Sequence, residues 1–269
     1  MLVDFHNHTT LCCHATGEME EYIQAAIQKG IRILGFADHS PWMPQEDVKM
    51  AMSYEEVPVY IKQVEKWKEY YENRENYPIH IRLGMEMDFL PDQTDLPRDF
   101  CRKYDFDYVI GSVHHIGKWG FDQESQADLY EKKSVRAIYE SYFDLVKQLI
   151  RSGLFDIVGH IDLVKKFGYF PEEGWEDIQE EMAEVLAESR MVVELNTSGR
   201  DKPVGEFYPG PSFLSRLIKR GVQITLGSDS HDPAHVGRYF DEAVALLKKL
   251  GCKEVMSFEK RKMAPVSLD

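Results

Sequence analysis

This sequence predicts an α/β fold of seven units, with parallel strands closed into a barrel. Three observations carry the prediction. Short apolar runs rich in β-branched residues alternate with helical periodicity along nearly the whole chain. The runs are almost continuously apolar, as strands buried on both faces are. Six of the seven carry His, Asp or Glu at the same end. Strand–helix–strand alternation calls for parallel strands joined by crossovers. Strand counting alone leaves both a doubly wound open sheet and a closed barrel standing. The polar ends favour the barrel. An open sheet gathers ligands mainly at one switch point, whereas a barrel brings every strand C-terminus to one mouth.

The first strand is read over residues 2–8 and carries His6 and His8, with His14 in the loop beyond. Met19, Tyr22, Ile23, Ala26 and Ile27 then repeat at helical spacing, and Gly30 supplies a stop. The second strand, 33–39, ends in Asp38-His39; the third, 79–89, carries Glu86; the fourth, 108–115, ends in His114-His115. Val135, Ile138, Tyr139, Tyr142, Val146 and Leu149 form one helical stripe that stops at Gly153. The fifth strand, 157–162, holds His160 and Asp162, and a helix with Trp175, Ile178, Met182, Val185 and Leu186 follows. The sixth strand, 192–197, carries Asn196 and leads to a helix built on Phe213, Leu214, Leu217 and Ile218. The seventh, 224–231, carries Asp229 and His231, and the last helix is built on Phe240, Ala243, Val244, Leu247 and Leu250. Insertions at 40–57 and 116–131 leave the mouth, where lids and specificity loops belong. No linker rich in Pro, Gly or Ser interrupts the chain, so residues 1–269 are expected to form a single domain.

Of the 269 residues, 43% are hydrophobic and 29% charged, a balance typical of soluble globular proteins. The net charge of −14 disfavours nucleic acid, which requires a basic surface, and anionic membranes. An anionic substrate stays open, because a metal centre can reverse the field inside one cleft. No run of about 18 apolar residues offers a transmembrane helix. The opening MLVDFHNHTT lacks the basic and apolar regions of a secretory signal. Cys12, Cys13, Cys101 and Cys252 form no CxxC pair and read as free thiols in a reducing compartment. A cytoplasmic location is therefore expected.

In a strand, residues i and i+2 point to the same side, so His6 pairs with His8 and Asp229 with His231. Two imidazoles can hold one divalent cation, and a carboxylate such as Glu86 can bridge two. Imidazole and carboxylate ligands suit Zn, Mn or Fe rather than Ca. A single HxH signals little. Ionisable groups at one end of six buried strands signal much more, because unpaired burial is costly. His80, at the opposite end of its strand, His115, which alternates away from His114, and His235, near the last helix, fall outside this set. Alternative catalytic chemistries lack their residues. No cysteine has Arg six positions later, and no GxxxxGK[ST] loop occurs. Asp105-Phe106-Asp107-Tyr108-Val109 matches DxDx[TV], but it precedes its strand and reads as a solvated turn.

The segments HxHx5H at His6, His8 and His14, ADHS, GMEMDF, SVHH, GHID and GSDSH resemble the PHP (polymerase and histidinol phosphatase) family, in that family's order. FADHSPWMP, FDYVIGSVHHIG, SGLFDIVGHIDLVKKFG and ELNTSG narrow the likeness to its L-histidinol phosphate phosphatases. The resemblance implies a distorted (β/α)7 TIM-like barrel with up to three divalent metals (Zn, Mn or Fe) at the C-terminal mouth. By position, His6, His8, Glu86 and Asp229 would hold the first metal. Glu86, His114 and His160 would hold the second, and His14, His39 and His231 the third. Glu86, Asp229 and His231 would be catalytic, and Lys166 and Arg200 would contact the substrate phosphate. The implied reaction is phosphomonoester hydrolysis in histidine biosynthesis, by water whose pKa the cations lower toward about 7. The substrate is a small molecule, and Trp42, Met43, Met50 and Met52 of the first insertion are offered to its imidazole. Another PHP phosphoesterase, whether a broad phosphatase, an exonuclease or a protein-tyrosine phosphatase, is the alternative. The acidic charge argues against the exonuclease.

Overall fold

The computed structural model describes residues 2–44, 49–72 and 79–268; part of the 40–57 insertion therefore lies outside the described residues. Strands and helices alternate as expected, with α2 and α3 in addition and the third strand divided in two: β1 (Leu2–Asp4), α1 (Met19–Gln28), β2 (Ile31–Phe36), α2 (Val57–Glu72), β3 (His80–Leu83), β4 (Glu86–Asp88), α3 (Asp95–Lys103) and β5 (Ile110–Ser112). After a small hairpin, β6 (His115–Ile116) with β7 (Trp119–Gly120), come α4 (Val135–Ser152), β8 (Ile157–Val158), α5 (Glu176–Ala187), β9 (Val192–Asn196), α6 (Pro211–Lys219), β10 (Ile224–Gly227) and α7 (Phe240–Lys249). An antiparallel hairpin, β11 (Glu254–Glu259) with β12 (Lys262–Ser267), follows.

The fold is α/β with parallel sheets. One has the order β1-β2-β3 and the other β10-β9-β8-β5-β4. Hydrogen bonds join the two at both ends. β3 passes through Gly84 into β4, with Gly84 N donating to Phe36 O at 2.8 Å and Glu86 N to Asp38 O at 2.9 Å. On the other side Phe5 N donates to Leu226 O at 3.0 Å, and Asn7 bridges Ser230 in parallel. Tyr108 reaches across this arrangement, its hydroxyl donating to Phe5 O at 2.6 Å. Gly35 and Gly84 form its slot: a Cβ on either would lie 2.2 Å from the phenol.

The helices form for local reasons. Ser134 caps α4 by accepting from Ala137 N, and Gly153 ends it in the left-handed region at φ 64°. Ile138, Tyr139, Tyr142, Phe143, Val146, Leu149 and Ile150 form its buried face. Glu18 and Glu21 make a reciprocal capping box on α1, which buries Met19, Tyr22, Ile23 and Ala26.

One expectation changes. Asp107 is not solvated. It is buried, accepting from Leu83 N at 3.0 Å, Lys260 N at 3.1 Å and Lys68 at 2.8 Å. Its position before β5 puts it at the end away from the histidines, where it ties that strand's start to the β11–β12 hairpin. That hairpin, unread in the sequence, covers the same end through Phe258, whose carbonyl accepts from Arg82 and whose ring packs on Phe5.

Candidate metal centre

The strand ends deliver the expected side chains to one place. His6 and His8 follow β1 and are both fully buried. His14 arrives after a 3-10 turn at Thr10–Cys12 and Cys13 in the left-handed region. Asp38 and His39 follow β2, Glu86 opens β4, His114 follows β5, His160 follows β8, and Asp229 and His231 follow β10. His160 and Asp229 themselves sit at positive φ, 22° and 51°. Such backbone persists in non-glycine residues only where surrounding contacts hold it.

Glu86 is the centre of the arrangement, and its two oxygens face different partners. Oε2 lies 2.9 Å from His39 Nδ1, 3.3 Å from His6 Nε2 and 3.6 Å from His8 Nε2. Oε1 lies 3.0 Å from His160 Nε2 and 3.5 Å from His114 Nε2, and it accepts the Ser112 hydroxyl at 2.7 Å. Asp229 Oδ1 approaches His8 Nε2 at 3.4 Å and His6 Nε2 at 3.8 Å. Compact ligand groups form from His6, His8 and Glu86, and from Glu86, His114 and His160. The expected trio of His14, His39 and His231 is looser, with ring centroids 4.5 to 6.3 Å apart. His8 joins His39 and His231 in one tight group, and Cys12 joins His14 and His231 in another.

Electrostatics follow from the crowding. Burial raises the Glu86 carboxyl, but His39, His6 and His160 outweigh it and hold it well below the usual range. Burial and the His39 imidazole push His8 down to about 3, which keeps it a neutral imidazole at pH 7. Burial and His8 likewise hold His231 well below its ordinary value. His114 goes the other way. Burial opposes its charge, yet Asp88, 2.9 Å from Nδ1, brings it up to about 10.

A cleft of about 370 Å³ opens over these residues, within the range of small-molecule sites. Lys166 lines it, with Nζ donating to Asp122 O at 2.6 Å and facing Asp122 Oδ2 at 3.3 Å. Lys165 instead points into the protein and is buried against Asp162, Glu206 and Phe207 O. Arg200, expected at the phosphate, does not line the cleft. Its turn directs the guanidinium to Glu242 and Gly205 O, each at 2.9 Å. Lys202 and Arg238 line the cleft in its place, with exposed His235 also among the lining residues. Of the insertion residues, Met43 and Met50 line the cleft. Trp42 stacks edge-on to Phe100, and Met52 is core. The sequence reading passed over Asp88 and Glu194, which hold imidazoles from behind, although GMEMDF places Asp88 two residues from Glu86, on the same side.

The model of the PHP domain matches residues 4–198. The chain belongs to the PHP family. Within that family it is 39% identical, over 98% of its length and 99% of the relative's, to a Deinococcus radiodurans protein named "Probable histidinol-phosphatase". It is 23% identical to the Lactococcus lactis "Histidinol-phosphatase", over 97% of this chain and 96% of that one. A Lactococcus lactis histidinol phosphate phosphatase, solved with Zn, L-histidinol and phosphate, superposes with a TM-score of 0.84 at 22% identity, covering 98% of both chains. That structure establishes the shared fold. Among the described residues, no helix is long and apolar enough to cross a membrane.

Proposed function

We propose that this chain hydrolyses L-histidinol phosphate to L-histidinol and phosphate, as a single domain over residues 1–269 forming a closed, distorted (β/α)7 barrel. Closure is supported by the hydrogen bonds that join the two sheets at β1–β10 and at the β3–β4 bend. The observation that carries the function is the division of Glu86, one oxygen toward His6, His8 and His39 and the other toward His114 and His160. A carboxylate shared in this way suits a bridge between two cations. The donor set fits the metals. His6 Nε2, both nitrogens of His8, His39 Nδ1 and His231 Nε2 are buried without a hydrogen-bond partner, an arrangement costly for a protein but suited to ligands.

His6, His8, Glu86 and Asp229 would hold one metal, Glu86, His114 and His160 a second, and His14, His39 and His231 a third. Zinc is favoured by the Lactococcus relative; Mn and Fe suit the same ligands. Bound metals supply the positive charge that activates a water nucleophile near neutral pH and stabilises the phosphoryl oxygens. The chain's own groups do the rest. Lys166, held by Asp122 on the cleft wall, offers its ammonium to the phosphate. Arg238 steadies the Asp229 turn, donating to the carbonyls of Ser228 and Asp229 at 3.0 Å each. Ser198 Oγ, 3.2 Å from Asp229 Oδ2, keeps that carboxylate an acceptor. Met43, Met50 and Leu163 give the substrate's imidazole an apolar wall.

The test is the ratio of kcat/KM for histidinol phosphate against p-nitrophenyl phosphate and glycerol phosphate, because that ratio reads differential transition-state binding. A clear preference for histidinol phosphate is expected. Equal values would make this a general phosphomonoesterase and refute the substrate.

A further inference from the structure

We propose that Glu194 is the positioning residue on which metal retention by both Glu86-centred ligand groups depends. This inference rests on the metal-dependent reading above. Glu194 lies on β9, 1% exposed, behind the residues that line the cleft and not among them. Its Oε1 lies 2.7 Å from His6 Nδ1. Its Oε2 accepts His160 N at 2.8 Å and Asn196 Nδ2 at 3.1 Å.

Three consequences follow from that contact set. Glu194 already accepts two N–H groups on Oε2 and so acts as an acceptor toward His6 as well, which places the proton of a neutral His6 on Nδ1. The lone pair of Nε2 is then turned toward Glu86 and Asp229, and Nε2 is among the buried nitrogens without a hydrogen-bond partner. His160 is held at φ 22°, and its N–H ends on Glu194, which fixes the backbone from which its ring reaches Glu86. Asn196 extends the contact to a third group. Its Oδ1 accepts Ser198 N at 2.9 Å, so its amide nitrogen faces both Glu194 and, at 3.4 Å, Asp229 Oδ2. One buried carboxylate thus orients His6 and Asp229 of one ligand group and His160 of the other.

Two comparisons within the molecule sharpen the assignment. Asp88 makes the same carboxylate–imidazole contact to His114, at 2.9 Å, but reaches only that one candidate ligand through it. Gly227 leaves the space Glu194 occupies: a Cβ there would lie 1.9 Å from Oε1 and 2.8 Å from the His6 Cβ. Partners behind metal ligands typically change affinity by about 10–100-fold when removed.

The test uses the full chain loaded with zinc, with Glu194→Gln and Asp88→Asn as variants. Gln keeps the volume and can still accept from His6, but its amide nitrogen then confronts two donors, His160 N–H and the Asn196 amide. Competition against a metal-buffering chelator, with metal counted by mass spectrometry, is the readout. Glu194→Gln should weaken two metal equivalents by about 10–100-fold, and Asp88→Asn one. A purely structural role would lower the melting temperature while leaving the affinity of the folded protein unchanged. Wild-type affinity at every position in Glu194→Gln would overturn the proposal. A second measurement needs no variant to fold: nitrogen-15 imidazole NMR of the zinc-loaded wild type should show His6 protonated at Nδ1. Protonation at Nε2 would equally overturn it. Retained metal with no hydrolysis of histidinol phosphate would refute the substrate and leave Glu194 in place. A wild-type protein that takes up no metal would sink both.

Discussion

Replacing Gly84 with Ala tests the closed barrel through Tyr108. The added Cβ would lie 2.2 Å from the Tyr108 Cζ and 2.6 Å from both Cε atoms. Comfortable carbon–carbon separation is about 3.5–4.0 Å, so the ring would have to retreat by more than about 1 Å. It has nowhere to go. A Cβ on Gly35, were one present, would already lie 2.2 Å from the hydroxyl, and that hydroxyl is hydrogen-bonded to Phe5 O. Overpacking costs about 1–3 kcal/mol and a lost buried hydrogen bond about 1 kcal/mol, so Gly84→Ala should destabilise by about 2–4 kcal/mol. At about 2 °C per kcal/mol for a chain of this size, the melting temperature should fall by roughly 4–8 °C. Tyr108→Leu is destabilising in its own right but removes the ring that clashes. In that background Gly84→Ala should cost about 1–2 kcal/mol less, a coupling expected of contacting residues. The assay is urea unfolding of wild type, both single variants and the double variant at one fixed metal concentration, since bound metal adds stability by mass action. Additivity within about 0.5 kcal/mol would show that the ring does not pass through the Gly35–Gly84 slot.

Exhaustive chelation should abolish hydrolysis and lower the melting temperature, with zinc or manganese restoring both; undiminished turnover in excess chelator would refute the metal assignment. Glu86→Ala should lose at least about tenfold more activity and more bound metal than His14→Ala, because Glu86 faces five imidazoles and His14 stands in the looser group; equal losses would argue against a bridge. Lys166→Ala should lower kcat/KM by about 10²-fold or more, whereas Arg200→Ala should stay within about twofold, since its exposed pairing with Glu242 stabilises little. The reverse order would return the phosphate contact to Arg200.

The mouth of the fold was legible because buried strands have no packing reason to end in His6, His8, Glu86, His114, His160 and Asp229. The helices on clean apolar stripes, such as α4, were legible for the same kind of reason. What escaped depended on three-dimensional reach. Helix α2 mixes β-branched and aromatic residues on several faces, so its period is blurred. The β11–β12 hairpin carries Lys262, Pro265 and other exposed residues that read as tail. Asp107 and Glu194 looked like one acid before a strand and one within it; only the folded chain shows the N–H groups converging on each. That Lys202 and not Arg200 meets the cleft follows from a single 3-10 turn, Ser198–Asp201, that no periodicity encodes.

The β1–β10 junction bears on how this protein is made. Asp4 accepts from Ser228 across 224 positions of sequence, and Phe5 finds its partner at Leu226. During synthesis at about 5–20 residues per second, β1 waits roughly 11–45 s for that partner to emerge. Through that interval its outer edge is an open template for foreign strands. Contacts this distant in sequence also slow folding once the chain is complete. Yield in a cell should therefore depend on whatever shields the nascent amino-terminal segment, and slower translation should lengthen its exposure. A circular permutant that starts just before β10, leaving only α7 and the β11–β12 hairpin between it and β1, should shorten the wait to seconds.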